Sequence, residues 1–265
     1  MSINREHVRE LIQRLNAEIH EERARRVNSR YRLMRSYRRV IRSVAERLVR
    51  REAQDLLTQA EKNLRSQRGS GMFELWLEEY WRKDQEYIRQ QMEPTLLAYG
   101  ELVANAVEGE TKQPADPDAV QRFMKAYVET YAERHVYKSK TRLETVYRRA
   151  LERGEDPVEA IRAEMEEWTA NRADAIAERE AVQANGAVAV MLFKMANVQV
   201  LRWYAMGNNA CPYCQGMNGK IVEVTKNFAD EGDDLDGGEE GHLVISHGVG
   251  HPPLHEGCEC MVGIG

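Results

Sequence analysis

All four cysteines of this 265-residue chain lie in its last 55 positions, as two tight pairs, Cys211-x-x-Cys214 and Cys258-x-Cys260. Two thiolates from one turn reach the same tetrahedral ion at about 2.3 Å, and a second pair completes the shell. Gly207, Gly216 and Gly219 around the first pair suit a knuckle-like turn, and His255 in "HPPLHEGCEC" is a fifth candidate donor. The expected ligands are therefore Cys211, Cys214, Cys258 and Cys260, with His255 as substitute or orienting neighbour. The expected ion is a structural zinc, because four protein ligands leave no position for water. Two disulfides, or free thiols, are the alternatives. A redox Cys-x-x-Cys is disfavoured, since such a motif opens a helix in an α/β fold and this one leads through "QGMNG" toward a strand.

Upstream of this module the apolar period is helical. Val8, Leu11, Ile12, Leu15 and Ile19 share one face over residues 5–20. Val27, Met34, Ile41 and Leu48 then recur every seven positions, with Tyr37 and Val44 offset by three. Arg30 and Arg51 fall at that same offset and weaken the seam at both ends, so packing within the chain is expected ahead of a coiled coil. "RGSGM" at 68–72 is expected to break the helix. The next helix carries Phe73, Trp76, Leu77, Tyr80 and Trp81, and Pro94 is expected to start another that ends near Gly109. Asp116-Pro117 and Asp156-Pro157 each place a capping side chain before a proline at the first helical position. The helix after Pro157 is expected to run toward Ala196, with an interruption at Asn185-Gly186. After Asn197 the texture changes. "VQVLRWYAM", "GKIVEVT" at 219–225 and "HLVIS" at 242–246 read as strands between Gly- and Asp-rich turns. The expected architecture is mainly α with a small β-rich C-terminal module: a basic long-helix segment over 1–68, a helical body over 69–196, and a Cys/His module over 197–265.

The net charge of -5 hides a gradient. Residues 1–68 hold eighteen basic against nine acidic residues, and no Lys or Arg follows Lys226. Arg32, Arg35, Arg38, Arg39 and Arg42 lie outside the seam and are candidate contacts for phosphates or for a protein partner. Interspersed acids dilute that field, and only Tyr31 and Tyr37 are at hand for base stacking. A sequence-independent DNA contact, a docking surface for protein helices and a plain solvated face all stand as readings. The acidic loop "DEGDDLDGGEEG" lacks the residue order of an EF-hand loop. His242, His247 and His251 lie among Gly and Pro, where backbone-bonded or solvent-facing histidines are the rule; a metal-dependent enzyme site there is the weaker alternative. No phosphate-binding loop, nucleophile elbow or dinucleotide fingerprint occurs, so nothing points to an enzyme. No stretch approaches the roughly 18–20 apolar residues of a membrane span, and "MSINREHVRE" has no apolar core of a signal peptide. The expected setting is a reducing cytoplasm.

Three segments in order, "WTANRADAIAEREAVQANGA", "VLRWYAMGNNACPYCQGMNGKIV" and "HPPLHEGCECMV", resemble the head-morphogenesis or minor head protein family of tailed phages, the Mu F-like type. Arg172, Ala173, Ile176, Ala177 and Glu180 match the family's helix motif. Trp203, Cys211, Cys214, Gly219, Pro252, Pro253, His255, Cys258 and Cys260 match the rest. Glu178 stands where the family often has Arg, and Arg179 where it often has Thr. The resemblance covers about residues 168–262. It implies a structural protein of the virion, with portal or capsid proteins as partners, which assists head assembly or DNA packaging. It also implies a place in the capsid interior, after assembly in the host cytoplasm. Another copy of the chain is a further expected partner, and ending soon after Cys260 fits the family's standalone form. The alternative function is a zinc-stabilised nucleic-acid-binding protein that uses the Arg-rich N-terminal helix.

Overall fold

The computed structural model describes residues 5–65, 69–207 and 210–265. Helix α1 spans Arg5–Leu64, α2 Gly69–Thr111, α3 Pro117–Arg153 and α4 Pro157–Glu167. One π-helical turn, Trp168–Arg172, joins α4 to α5 at Ala173–Met195. The C-terminal segment holds β1 (Val200–Tyr204), the short α6 (Pro212–Met217), β2 (Ile221–Glu223), β3 (Asp234–Asp236), β4 (His242–Val244) and β5 (Met261–Ile264). The chain is thus mainly helical with a small antiparallel β module, as its two apolar periods predict.

Two compact units are present, and neither is one continuous segment. The first comprises Met1–Ser36, Leu102–Asp116 and Asn185–Gly265; the second comprises Tyr37–Glu101 and Pro117–Ala184. In the first unit β1 is the central strand of the order β2-β1-β5, with Arg202 opposite Ile221 and Trp203 opposite Val262. Strands β3 and β4 form a separate ribbon. Trp203, at 0 % exposure, meets Phe228 edge-on at 5.2 Å and fills the module's small core. In the second unit Leu56, Phe73, Trp81, Leu143, Ile161 and Trp168 form a continuous apolar core.

Residues 5–64 contain no Gly or Pro and are rich in strong helix formers, which accounts for the length of α1. Its seam is buried as predicted: Val27, Met34, Ile41, Val44 and Leu48 are all shielded from solvent. The two arginines at seam positions each find an acid. Arg30 Nε lies 2.8 Å from Glu110 in the first unit, and Arg51 Nη1 lies 2.6 Å from Asp84 in the second.

Several expected boundaries move. The break expected at "RGSGM" lies earlier, because α2 already starts at Gly69; Arg68 falls outside the described residues. Pro94 does not start a helix but sits inside α2. Burial of Ile88, Met92, Leu96 and Tyr99 along one face outweighs the missing N–H. No interruption occurs at Asn185-Gly186, where α5 is continuous; the irregularity comes earlier, at the π turn. Asn185 is fully buried and accepts from Arg30 Nη1 at 3.1 Å. A Cβ on Gly186 would lie 2.7 Å from His251 Nδ1, so the glycine is needed for close approach, not for a bend. Asp156 caps α4 as predicted, accepting from Val158 N at 2.8 Å.

Candidate metal centre

Two turns carry the cysteines. The first opens α6, where Cys211 is the N-terminal cap and its sulfur accepts from Cys214 N at 3.4 Å. Pro212 takes the first helical position, which needs no N–H. Tyr213, between the two cysteines, donates to the Glu240 carbonyl at 2.8 Å and so ties the acidic loop to this turn. That the motif opens a helix corrects the expectation of a turn leading straight to a strand. The companion argument holds, for the surrounding sheet is antiparallel and not that of an α/β fold. Gly219 follows at φ 81°, and its N–H donates to the Trp203 carbonyl at 2.8 Å. This left-handed position fits a glycine knuckle. The second turn places the Cys258 N–H 3.3 Å from the His255 carbonyl, with Gly257 at φ 76°.

The five candidate donors come together. Cys211, Cys214 and His255 form one triad and Cys214, Cys258 and Cys260 a second; within each, the donor atoms all lie within 4.8 Å of one another. Cys214 belongs to both. Its sulfur is 3.6 Å from that of Cys258, close to the edge of about 3.8 Å expected of a tetrahedron with 2.3 Å bonds. His255 Nε2 is 2.9 Å from Cys211 Sγ and 3.2 Å from Cys214 Sγ. The other ring nitrogen, Nδ1, is 2.7 Å from the Glu256 carbonyl. A carbonyl only accepts, so Nδ1 carries a proton and Nε2 is the ring nitrogen turned toward the sulfurs. These residues can hold a metal ion.

The electrostatics favour a cation. Hydrogen bonds from Cys214 and Cys260 hold the Cys258 thiol well below the usual range. The same bond, with burial, pushes Cys214 far above it. Three buried sulfurs this close cannot all ionise without a compensating positive charge. Cys214 pulls the Cys260 thiol down, but Cys258 and burial outweigh it and push that thiol up to about 12. The Trp203 indole N–H, buried without a hydrogen-bond partner of normal geometry, adds only a smaller downward pull. Beside the cluster a cavity of about 610 Å³ is lined by Tyr31, Arg35, His255 and Glu259, among others. Tyr31 donates to Glu259 at 2.7 Å across it.

A buried arginine, which the sequence shows only as a flaw in the seam, anchors the module within the first unit. Arg30 is 0 % exposed and contacts Glu110, Asn185 and the Val262 carbonyl of β5.

Arg172 and Glu180 are placed in the second unit, far in sequence from the cysteines. Arg172 Nη1 donates to Glu52 at 2.9 Å, its guanidinium also reaches Ser139, and it stacks 4.2 Å from the Trp168 ring centroid. His135 Nε2 is 3.2 Å from the same Glu52 oxygen. Burial opposes the Glu52 charge, but Arg172 and His135 outweigh it and hold the carboxyl at about 2. Glu180 accepts from Tyr127 at 2.7 Å and from Arg134 at 2.6 Å. Both motif residues therefore hold buried polar networks together.

Of the five basic candidates, Arg32, Arg35 and Arg39 are exposed. Arg38 lies 3.4 Å from Glu178, and Arg42 lies 2.5 Å from Asp174. The departure at Glu178 is thus matched by a cation in the same unit. His242 bonds Asp234, His247 lies against Ser246, and His251 is held by the Pro252 carbonyl. Among the described residues none of the three joins a metal-binding group, and neither do the loop acids. No helix among the described residues is long and apolar enough to cross a membrane. No protein-family model, curated protein or solved structure matches the chain.

Proposed function

We propose that this chain is a structural minor head protein of a tailed phage or prophage, whose C-terminal module is clamped by zinc. The observation that carries the reading is the convergence of Cys211, Cys214, His255, Cys258 and Cys260 on one cluster under Trp203. Two segments 44 residues apart, each matching a motif of that family, thus build a single site. The third segment supports the reading through Arg172 and Glu180, both committed to structure. The ion is held by four of the five donors, His255 among them, because a ring nitrogen directed at sulfurs suits a ligand better than an orienting neighbour. The zinc is structural: it supplies stability to a module with little apolar core of its own. The partners are portal or inner-capsid proteins, and the place is the virion interior, reached from the host cytoplasm.

The nucleic-acid alternative rests on Arg32, Arg35 and Arg39, since Arg38 and Arg42 already face carboxylates. Protein analysis of purified, nuclease-treated phage heads tests the assignment. A few copies per head, lost together with normal head assembly when the gene is deleted, is the expected result. Intact, infectious heads without the chain would contradict it.

A further inference from the structure

We infer that the N-terminal end of α1 is a self-association element, in which two copies of the chain pair as a short parallel coiled coil. Every described side chain from Glu6 to Glu22 is exposed, including Leu11 at 52 %, Ile12 at 51 %, Leu15 at 49 % and Ile19 at 47 %. A helical segment of this length with none of its described side chains buried is marginal by itself in water. Its apolar residues are ordered for one kind of partner. Ile12 and Ile19 stand seven apart with Leu15 between them, and isoleucine at position a with leucine at d favours two parallel strands.

The charges flanking this stripe fit a second copy. In that register Glu18 occupies position g and Arg23 position e of the next heptad, the pair that meets across a parallel dimer. Each chain supplies both members, so the interface is self-complementary about a two-fold axis. Arg23 is steadied at that point by a contact with the Gly265 carbonyl. The stripe ends at Glu22, which takes the next d position, and burial begins just beyond it: Arg26 contacts the Gly109 carbonyl and Val27 is 1 % exposed. A groove of about 350 Å³ lined by Leu15, Ile19 and Ile264 runs beside this stripe, enough to take apolar side chains of a second copy.

Sedimentation equilibrium of the full chain over a range of concentrations tests this. The expected result is a mass that rises from 30.6 kDa toward twice that value, with a dimer weakened about 100-fold or more in an Ile12→Asp, Ile19→Asp variant. Far-UV circular dichroism and metal content should match wild type, which separates this failure from any failure of the metal centre. Glu18→Arg and Arg23→Glu variants should each associate poorly alone and pair when mixed. A wild type that stays monomeric to about 1 mM overturns the pairing and leaves the stripe to a protein of another sequence. So does a dimer indifferent to the isoleucine changes, or a mixture no stronger than its components.

Discussion

His255 is the residue on which the metal reading turns. Its Nε2 is turned toward the sulfurs while Nδ1 is committed to the Glu256 carbonyl. His255→Ala should therefore lower zinc affinity by about a thousandfold or more, beyond the 10–100-fold loss typical of an orienting neighbour. Competition with a chromophoric chelator measures it, and a loss within the smaller range would return the site to four thiolates. In the second unit Glu52→Gln removes the charge that faces Arg172 and His135. Breaking such a buried pair should cost about 3 kcal/mol, read from urea unfolding. Asp84 acts in the opposite sense. Burial, then the neighbouring Glu52 charge, raises its carboxyl from 3.8 to about 6 in spite of Arg51. The folded chain thus keeps a proton that the unfolded chain releases near pH 4, so stability falls as pH rises from about 4 to 6. Relative to Asp84→Asn, wild type should gain about 1 kcal/mol between pH 7 and pH 5. A difference that does not change with pH would contradict the account. Glu52 contributes its own stability above pH 4.5 and loses it only as pH falls toward 2, outside that window. At this scale the cysteines were legible, because two tight spacings announce a shared ion. The Glu52, His135 and Arg172 network was not, because its members lie 83 and 120 residues apart and only the fold unites them.

Elements were legible where a local period sets them. The seam of α1 and the cap at Asp156 follow from spacing and side-chain chemistry alone. Pro94 and Asn185-Gly186 were misread because propensity marks them as breaks, while burial on either side overrides it. Pro94 is exposed, so Pro94→Ala should change only the backbone. It should stabilise the chain by about 1–3 kcal/mol, read from the urea midpoint, by restoring an N–H in mid-helix. Gly186→Ala should destabilise by about 1–3 kcal/mol, since its Cβ would also lie 3.0 Å from the Pro252 carbonyl oxygen. Strands β3 and β5 and helix α6 escaped notice for a different reason. "DLD" carries no strand preference, "MVGI" becomes a strand by pairing with β1, and "PYCQGM" is too short to show a period.

For the whole molecule, the three contiguous segments expected from texture, 1–68, 69–196 and 197–265, give way to two units assembled from separated segments, since α1, α2 and α5 each contribute to both. The central claim is that the last 69 residues are held by one ion, with the helices independent of it. Chelation should then open residues 197–265 to protease while leaving the helical signal almost unchanged. The most direct test is elemental analysis of protein purified without chelator, paired with a thiol count after denaturation in EDTA. The account predicts about one zinc per chain and four titratable thiols. No zinc with no free thiols would mean two disulfides, and no zinc with four free thiols would leave the cluster without its ion; either contradicts it.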